Sequence, residues 1–308
     1  MVNRTFWRYK VDPYRIFVRV VENPRIPRAD LARKFNVNPK TGALWLDAAI
    51  QKQIIKLPIF RRKAFLNFRE YVHFLIVEDP HQLYEEMQSD TDGIMYYSVQ
   101  TGFSNFQIVT TKKITPPGDI IFSGERSDYH ISIPPNCTFE TSMSVIKRRL
   151  SNLDKFNHTP SPLIYHDEVF EWDSSMEQIY QKLYNNFRTP IKEILRTTDA
   201  YSDKIMDWIK NRDRFGHTIT MYFPEGLSAY EPTTYCVETE YDSLLIDLFS
   251  CFPVSTIFYR LHDKLMISTF LPFTLEGKKI SRRILSFLKK RELVERYTNS
   301  IDEYDYRP

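Results

Sequence analysis

The sequence predicts an α+β protein in which one module, a winged helix-turn-helix followed by a βαββαβ sandwich, occurs twice. Three observations predict it. A helix pair with cap signals occupies residues 27–55, the chain repeats itself at an offset of 163 residues, and two runs switch between strand and helix periodicity in the same order.

Asp12-Pro13 opens a first helix with Ile16, Phe17, Val20 and Val21 on one face. Leu31, Ala32 and Phe35 follow at helical spacing, and Asn36-Val37-Asn38 interrupts them. Asn38 can accept from the orphan N–H groups of the next helix, and Pro39 suits its first position because the missing N–H costs nothing there. Gly42, Leu46 and Ala49 form the inward stripe of that helix, while Lys40, Thr41, Ala43 and Leu44 look outward. A second helix with a free N-terminal face fits a DNA major groove, although an ordinary helical hairpin has the same pattern. Residues 57–68, LPIFRRKAFLNF, read as a β-hairpin wing with Arg61, Arg62 and Lys63 at its tip.

Beyond the wing, residues 70–78, 94–103 and 104–112 read as strands, and 80–90 as a helix. The helix 138–153 and the strand 162–170 close the unit, and an insertion at 113–137 is marked by Pro116-Pro117-Gly118 and Pro134-Pro135. The second half repeats the order with strands at 232–240, 255–263, 264–272 and 293–298 and helices at 241–252 and 274–290. That order is the ferredoxin-like unit. The 163-residue shift sets Ile16 on Ile179, Phe17 on Tyr180, Arg25 on Arg188, Pro27 on Pro190 and Trp45 on Trp208. The domains are therefore 1–69, winged helix-turn-helix; 70–171, ferredoxin-like with the insertion; 172–231, a second and degenerate winged helix-turn-helix; and 232–308, a second ferredoxin-like domain.

Charge separates the two heads. Residues 1–69 carry 16 basic against 4 acidic residues, whereas the other 239 carry 26 against 35. A cationic module gains affinity for phosphate by releasing counterions, and an acidic one cannot. The second head, 172–231, holds 8 basic against 9 acidic groups, with Asp203 and Asp207 where the first head has Lys40 and Leu44. It is a poor DNA reader, and a structural copy or a protein-docking surface in this reading. The opening Arg4-Thr5-Phe6-Trp7-Arg8-Tyr9-Lys10 either reaches along DNA or docks as an edge strand.

The longest apolar runs, such as His73–Val77, are too short to cross a bilayer, and no signal-peptide pattern opens the chain. Cys137, Cys236 and Cys251 are scattered and suit a reducing cytoplasm as small apolar groups. The seven histidines form no metal pattern, and no cofactor motif, nucleophile–base pair or paired carboxylates stand out.

The run from Leu31 to Asn38 with Lys40-Thr41, followed by the sensor pattern from Tyr71 to Lys112, resembles the Lrp/AsnC or feast/famine family of bacterial and archaeal transcription regulators. The resemblance implies βαββαβ domains that pair face to face through their sheets, with an amino-acid-like effector between them. In one chain this makes an internal pseudo-dimer, and it leaves a further homodimer open. Where that family places polar groups on the reading helix, this chain has Ala43, Leu44 and Trp45; Leu44 can touch thymine methyls, and Trp45 and Trp208 suit packing against the wing or the sheets.

The expected function is sequence-specific DNA binding by a non-enzymatic regulator. Arg25, Arg28 and Arg33 lie near the backbone, Asn38, Lys40, Thr41 and Leu44 at the groove, and Arg61, Arg62 and Lys63 on the flanking phosphates. The alternative is a ligand-binding or catalytic protein on the same scaffold. The resemblance extends to sirohaem decarboxylases, which place a histidine and arginines in the sensor cleft, and Tyr259-Arg260-Leu261-His262 is the one hint of that here. A scaffold that binds partners through its acidic second half is a third reading.

Overall fold

The computed structural model describes residues 11–89, 92–156 and 159–306, so the basic segment before Val11 lies outside the described residues. In chain order the first head supplies α1 (Pro13–Glu22), α2 (Arg28–Lys34), α3 (Pro39–Gln51) and β1 (Ile59–Arg62). Next come β2 (Tyr71–Ile76), α4 (Pro80–Met87), β3 (Ile94–Gly102), β4 (Phe106–Thr110), β5 (Asp119–Glu125), β6 (His130–Ile131) and α5 (Phe139–Leu150). The second head brings α6 (Ser174–Leu183), α7 (Ile191–Thr197), α8 (Ser202–Asn211) and β7 (Gly216–Ile219). The chain ends with β8 (Tyr230–Glu238), α9 (Asp242–Phe249), β9 (Ile257–Leu261), β10 (Lys264–Pro272), α10 (Leu275–Lys290) and β11 (Arg296–Tyr306). The fold is α+β, with winged-helix and ferredoxin-like modules each present twice. These gather into two compact units, a head unit (Met1–Arg61 with Trp172–Ser228) and a sheet unit (Arg62–Glu171 with Ala229–Pro308).

In the head unit the cap signals act as expected. The Asp12 carboxylate accepts from the Tyr14 N–H at 3.0 Å, and Asn38 accepts from the Thr41 N–H at 2.8 Å. Gly42 is required by close helix contact, because a Cβ there would lie 2.7 Å from that of Ala32. Ile16, Phe17, Val20, Leu31 and Leu46 form the first core, and Tyr222 from the second head completes it, stacked on Phe17 at 5.1 Å. The exchange is mutual. Phe60 of β1 is fully buried among Tyr180, Phe187, Trp208 and Phe215 of the second head, 4.8 Å from the Trp208 ring. β1 pairs with β7 in a two-stranded sheet. The hairpin expected over 57–68 is thus corrected: 59–62 is a single strand exchanged between heads. An apolar-basic-apolar run looks the same in both arrangements, and only the partner aromatics decide between them.

In the sheet unit nine strands run β5-β2-β4-β3-β11-β8-β10-β9-β6. Each half keeps the ferredoxin-like order, but the first obtains its fourth strand from β5, inside the stretch expected to be an insertion. Residues 162–170 form no strand. They hydrogen-bond irregularly to 64–66 and to Asp128, through His166 N to Ala64 O, Leu66 N to Glu168 O and Asp128 N to Ile164 O. With its place in the order taken, α5 lies on the second half: Ser142 Oγ donates to Cys251 O at 2.6 Å, and Arg149 pairs with Asp247.

The halves join edge to edge, which corrects the face-to-face pairing expected from the resemblance. Each fourth strand serves both halves. β11 pairs with β8 along 296–301 and with β3 along 300–306. β5 pairs with β2, then Arg126 bridges to Leu261 and β6 pairs with β9. Because the first and last strands of the order are consecutive pieces of residues 119–131, the sheet closes on itself and has few free edges.

Candidate functional site

The structure disperses the residues expected at a DNA interface. Arg25 is half-buried and donates to the carbonyls of Phe187 and Thr189 in the second head, while its repeat mate Arg188 donates to those of Pro24 and Ile26 in the first. Burial and the facing Arg188 lower the pKa of Arg25. The two guanidiniums therefore clasp the heads together, and Arg25 is corrected from a phosphate contact to a structural residue. Arg61 and Arg62 are 3% and 6% exposed. Arg61 donates to the carbonyls of Phe60 and Tyr184, and Arg62 lies over the Phe68 ring at 3.6 Å. With Lys63 half-buried beside them, no basic wing tip exists and the phosphate clamp is corrected.

What remains exposed is narrower. Arg28 pairs with Asp47 and Arg33 with Asp30, both at the surface. Asn38 and Lys40 are exposed, Thr41 is half-buried with its hydroxyl donating to Asn38, and Leu44 is 60% exposed. The outer face of α3 thus carries Lys40, Leu44 and Asp47, the last already paired with Arg28. Trp45 and Trp208 are buried in the cores, Trp208 against the exchanged β1 strand as its expected packing role requires.

The sheet unit concentrates polar chemistry. One face of β3 and β4 packs its apolar residues on Leu83, Tyr84 and Met87 of α4. Alternate residues turn to the enclosed face, where Gln100 Nε2 donates to Gln107 Oε1 at 3.0 Å and to Asp302 Oδ1 at 2.5 Å. Tyr96 donates to the same carboxylate at 3.3 Å, and Ser104 Oγ donates to Gln100 Oε1 at 2.7 Å. Burial holds the Tyr259 hydroxyl well above its ordinary pKa, aided by Tyr129 and Asp302, while a hydrogen bond with Gln107 acts the other way. At the closing seam Arg126 is 1% exposed and donates Nε–H to Glu70 Oε2 at 2.9 Å. Burial there opposes the guanidinium charge, and Glu70, with Tyr129 and Asp128, more than offsets it.

The hinted segment 259–262 divides its roles. Arg260 is held by Asp242 at 2.7 and 3.0 Å and by Thr239 O. His262 sits in the β9–β10 turn with φ 53°, its ring against Gly124, as a turn residue should. A carboxylate–histidine pair that the sequence did not mark lies elsewhere in the sheet unit: Asp128 Oδ2 meets His166 Nε2 at 2.9 Å, while Asp128 Oδ1 accepts from Ala64 N. Among the described residues no group of three or more His, Cys, Asp or Glu could hold a metal ion. Burial pushes the Cys236 thiol up to about 12, so it is an inert apolar filler.

A groove of about 540 Å³ lies between α5 and α10. Phe139, Met143, Leu150, Ile280, Ile284 and Phe287 line it, and Glu140, Lys147 and Arg283 bring charge to it. Lys147 and Arg283 are exposed. The sequence reading missed this site because it gave α5 to the first half, away from α10. The signal available was the basic run Lys147–Arg149 behind an apolar stripe, which does not name its partner helix.

No family model and no curated protein matches the chain. Two solved structures do, both of siroheme decarboxylase NirDL, one of them in complex with an iron-uroporphyrin III analogue. Each has a TM-score of 0.44, at 11% and 10% identity, over 96% of this chain and 92% of the other. So distant a likeness assigns neither ligand nor reaction here. Both matched structures are of an enzyme, and this is the finding that stands against the expected non-enzymatic regulator. Among the described residues no helix is long and apolar enough to cross a membrane.

Proposed function

We propose that this chain is a ligand-binding or catalytic protein on a duplicated Lrp/AsnC-like scaffold, and that its ligand is an amphipathic organic anion. The observation that carries the reading is the α5–α10 groove, an apolar slot of about 540 Å³ with Lys147 and Arg283 at its polar positions. Sites of this size, mostly apolar with a few convergent polar groups, are the usual form of small-molecule sites. A flat apolar body fills the slot, and carboxylates meet the two cations. A polycarboxylate iron tetrapyrrole has that chemistry and is the first ligand to test.

Titration followed by visible absorbance should show saturable binding. Lys147→Ala and Arg283→Ala should each raise Kd roughly tenfold, the effect of losing one charge-assisted contact. Mass spectrometry of the incubated ligand reads turnover as loss of carbon dioxide. An unchanged spectrum, or binding indifferent to both substitutions, would sink the reading.

DNA binding by the first head is a second reading, favoured by the exposed N-terminal half of α3. Its contacts are Arg28, Arg33, Asn38, Lys40, Thr41 and Leu44, without the clasp and wing residues. Lys40→Ala should flatten the salt dependence of binding by about one unit. A salt slope equal in wild type and variant would remove Lys40 from the interface.

A further inference from the structure

The two heads turn oppositely charged versions of the same face to solvent. The 163-residue repeat sets Lys40 on Asp203, Leu44 on Asp207 and Asp47 on Lys210, so the sign inverts at both positions charged in each copy. On the second head Tyr201, the N-cap of α8, and Met206, within α8, are 66% and 49% exposed on the same helix as Asp203 and Asp207. Neither aspartate makes an ion pair among the described residues. On the first head Leu44 is exposed between Lys40 and Asp47, and Asp47 is already held by Arg28. Lys34 and Lys40, on either side of the α2–α3 turn, are exposed and make no ion pair among the described residues.

We propose that the outward face of the second head docks the outward face of the first head of another copy of this chain. Charge complementarity selects that occupant. Lys34 and Lys40 meet Asp203 and Asp207, and Leu44 meets the exposed Tyr201 and Met206. First-head faces repel one another, and so do second-head faces, so the contact is heterologous rather than two-fold. Both faces are open to solvent in the single chain, so neither satisfies the other internally. A heterologous contact of this kind adds copies head to tail. The inference is independent of the groove and its ligand.

Sedimentation velocity of the full chain alone, without DNA or ligand, tests it. Wild type should associate as concentration rises through the micromolar range, and added salt should weaken the association. Asp203→Lys with Asp207→Lys, or Lys34→Glu with Lys40→Glu, should each weaken it roughly tenfold or more, since two attractions become repulsions. Combining all four substitutions should restore association, and circular dichroism reports whether each variant is folded. A wild type that stays monomeric overturns the proposal. So does association that survives either charge reversal, or a folded quadruple variant that remains monomeric.

Discussion

Arg25 and Arg188 show how a residue's chemistry can be read correctly and its partner wrongly. Both were matched by the repeat, and the structure crosses them onto each other's head through four backbone carbonyls. Charge-assisted bonds of this kind contribute about 1.5–3 kcal/mol each when they are partly buried. Arg25→Ala and Arg188→Ala should therefore each lower unfolding stability by roughly that amount in urea titrations. A purely phosphate-binding arginine would leave the midpoint unchanged. His73 makes a different prediction. It is 5% exposed on β2, neither ring nitrogen has a hydrogen-bond partner among the described residues, and burial lowers its pKa. The folded chain thus holds it neutral, while the unfolded chain protonates it near the ordinary 6.5. Its contribution is complete above that value and is lost progressively as pH falls below it, towards the lower folded pKa. His73→Leu should flatten the melting temperature between pH 7.5 and 5.5 by removing part of this acid sensitivity (both values about the titration range of histidine). An equal acid response in wild type and variant would show that His73 does not carry it.

The exchanged strand is the element on which the head unit turns. Phe60 fills the second core, and a Cβ on Gly216 would lie 2.0 Å from its ring. Gly216→Ala meets no left-handed backbone, so its cost is overlap alone, about 1–3 kcal/mol or more. Phe60→Ala should cost about 3–5 kcal/mol. Both losses should appear together in the fluorescence of Trp208, which contacts the ring. If Gly216→Ala is neutral, β1 has room that the packing denies it. Element identity was legible here: α1, α3 and their caps follow from Asp12, Asn38 and Pro39, whose signals act within one turn. Element pairing was not, because Phe60 carries no mark of which head it enters. The same applies to α5, legible as a helix from its apolar spacing and assigned to the wrong half of the sheet.

At the scale of the whole molecule, closure of the nine-stranded sheet governs what can be a site. The seam is held at Arg126, where β5 ends and the chain crosses to β9, with Glu70 as its buried counter-ion at 1% exposure. Glu70→Gln leaves that guanidinium uncompensated, and should cost about 3–5 kcal/mol. Thermal unfolding followed by circular dichroism checks it, and a loss under 1 kcal/mol (about the value of a surface pair) would mean the seam is not electrostatically closed. Tertiary packing also explains why the charge count misled. Of the cations in residues 1–69, Arg25, Arg61 and Arg62 are turned inward and Arg28 and Arg33 are paired. A linear tally sees sixteen positive charges; a phosphate would meet only those left at the surface.

The sequence by itself determined the duplicated α+β modules, the helix boundaries and the cores, because caps and hydrophobic periodicity act between near neighbours. The tertiary structure alone decided which wing strand fills which head, which strand closes each half, and where α5 lies to form the groove. Those choices depend on contacts more than a hundred residues apart, where several segments share one pattern and only mutual packing selects among them.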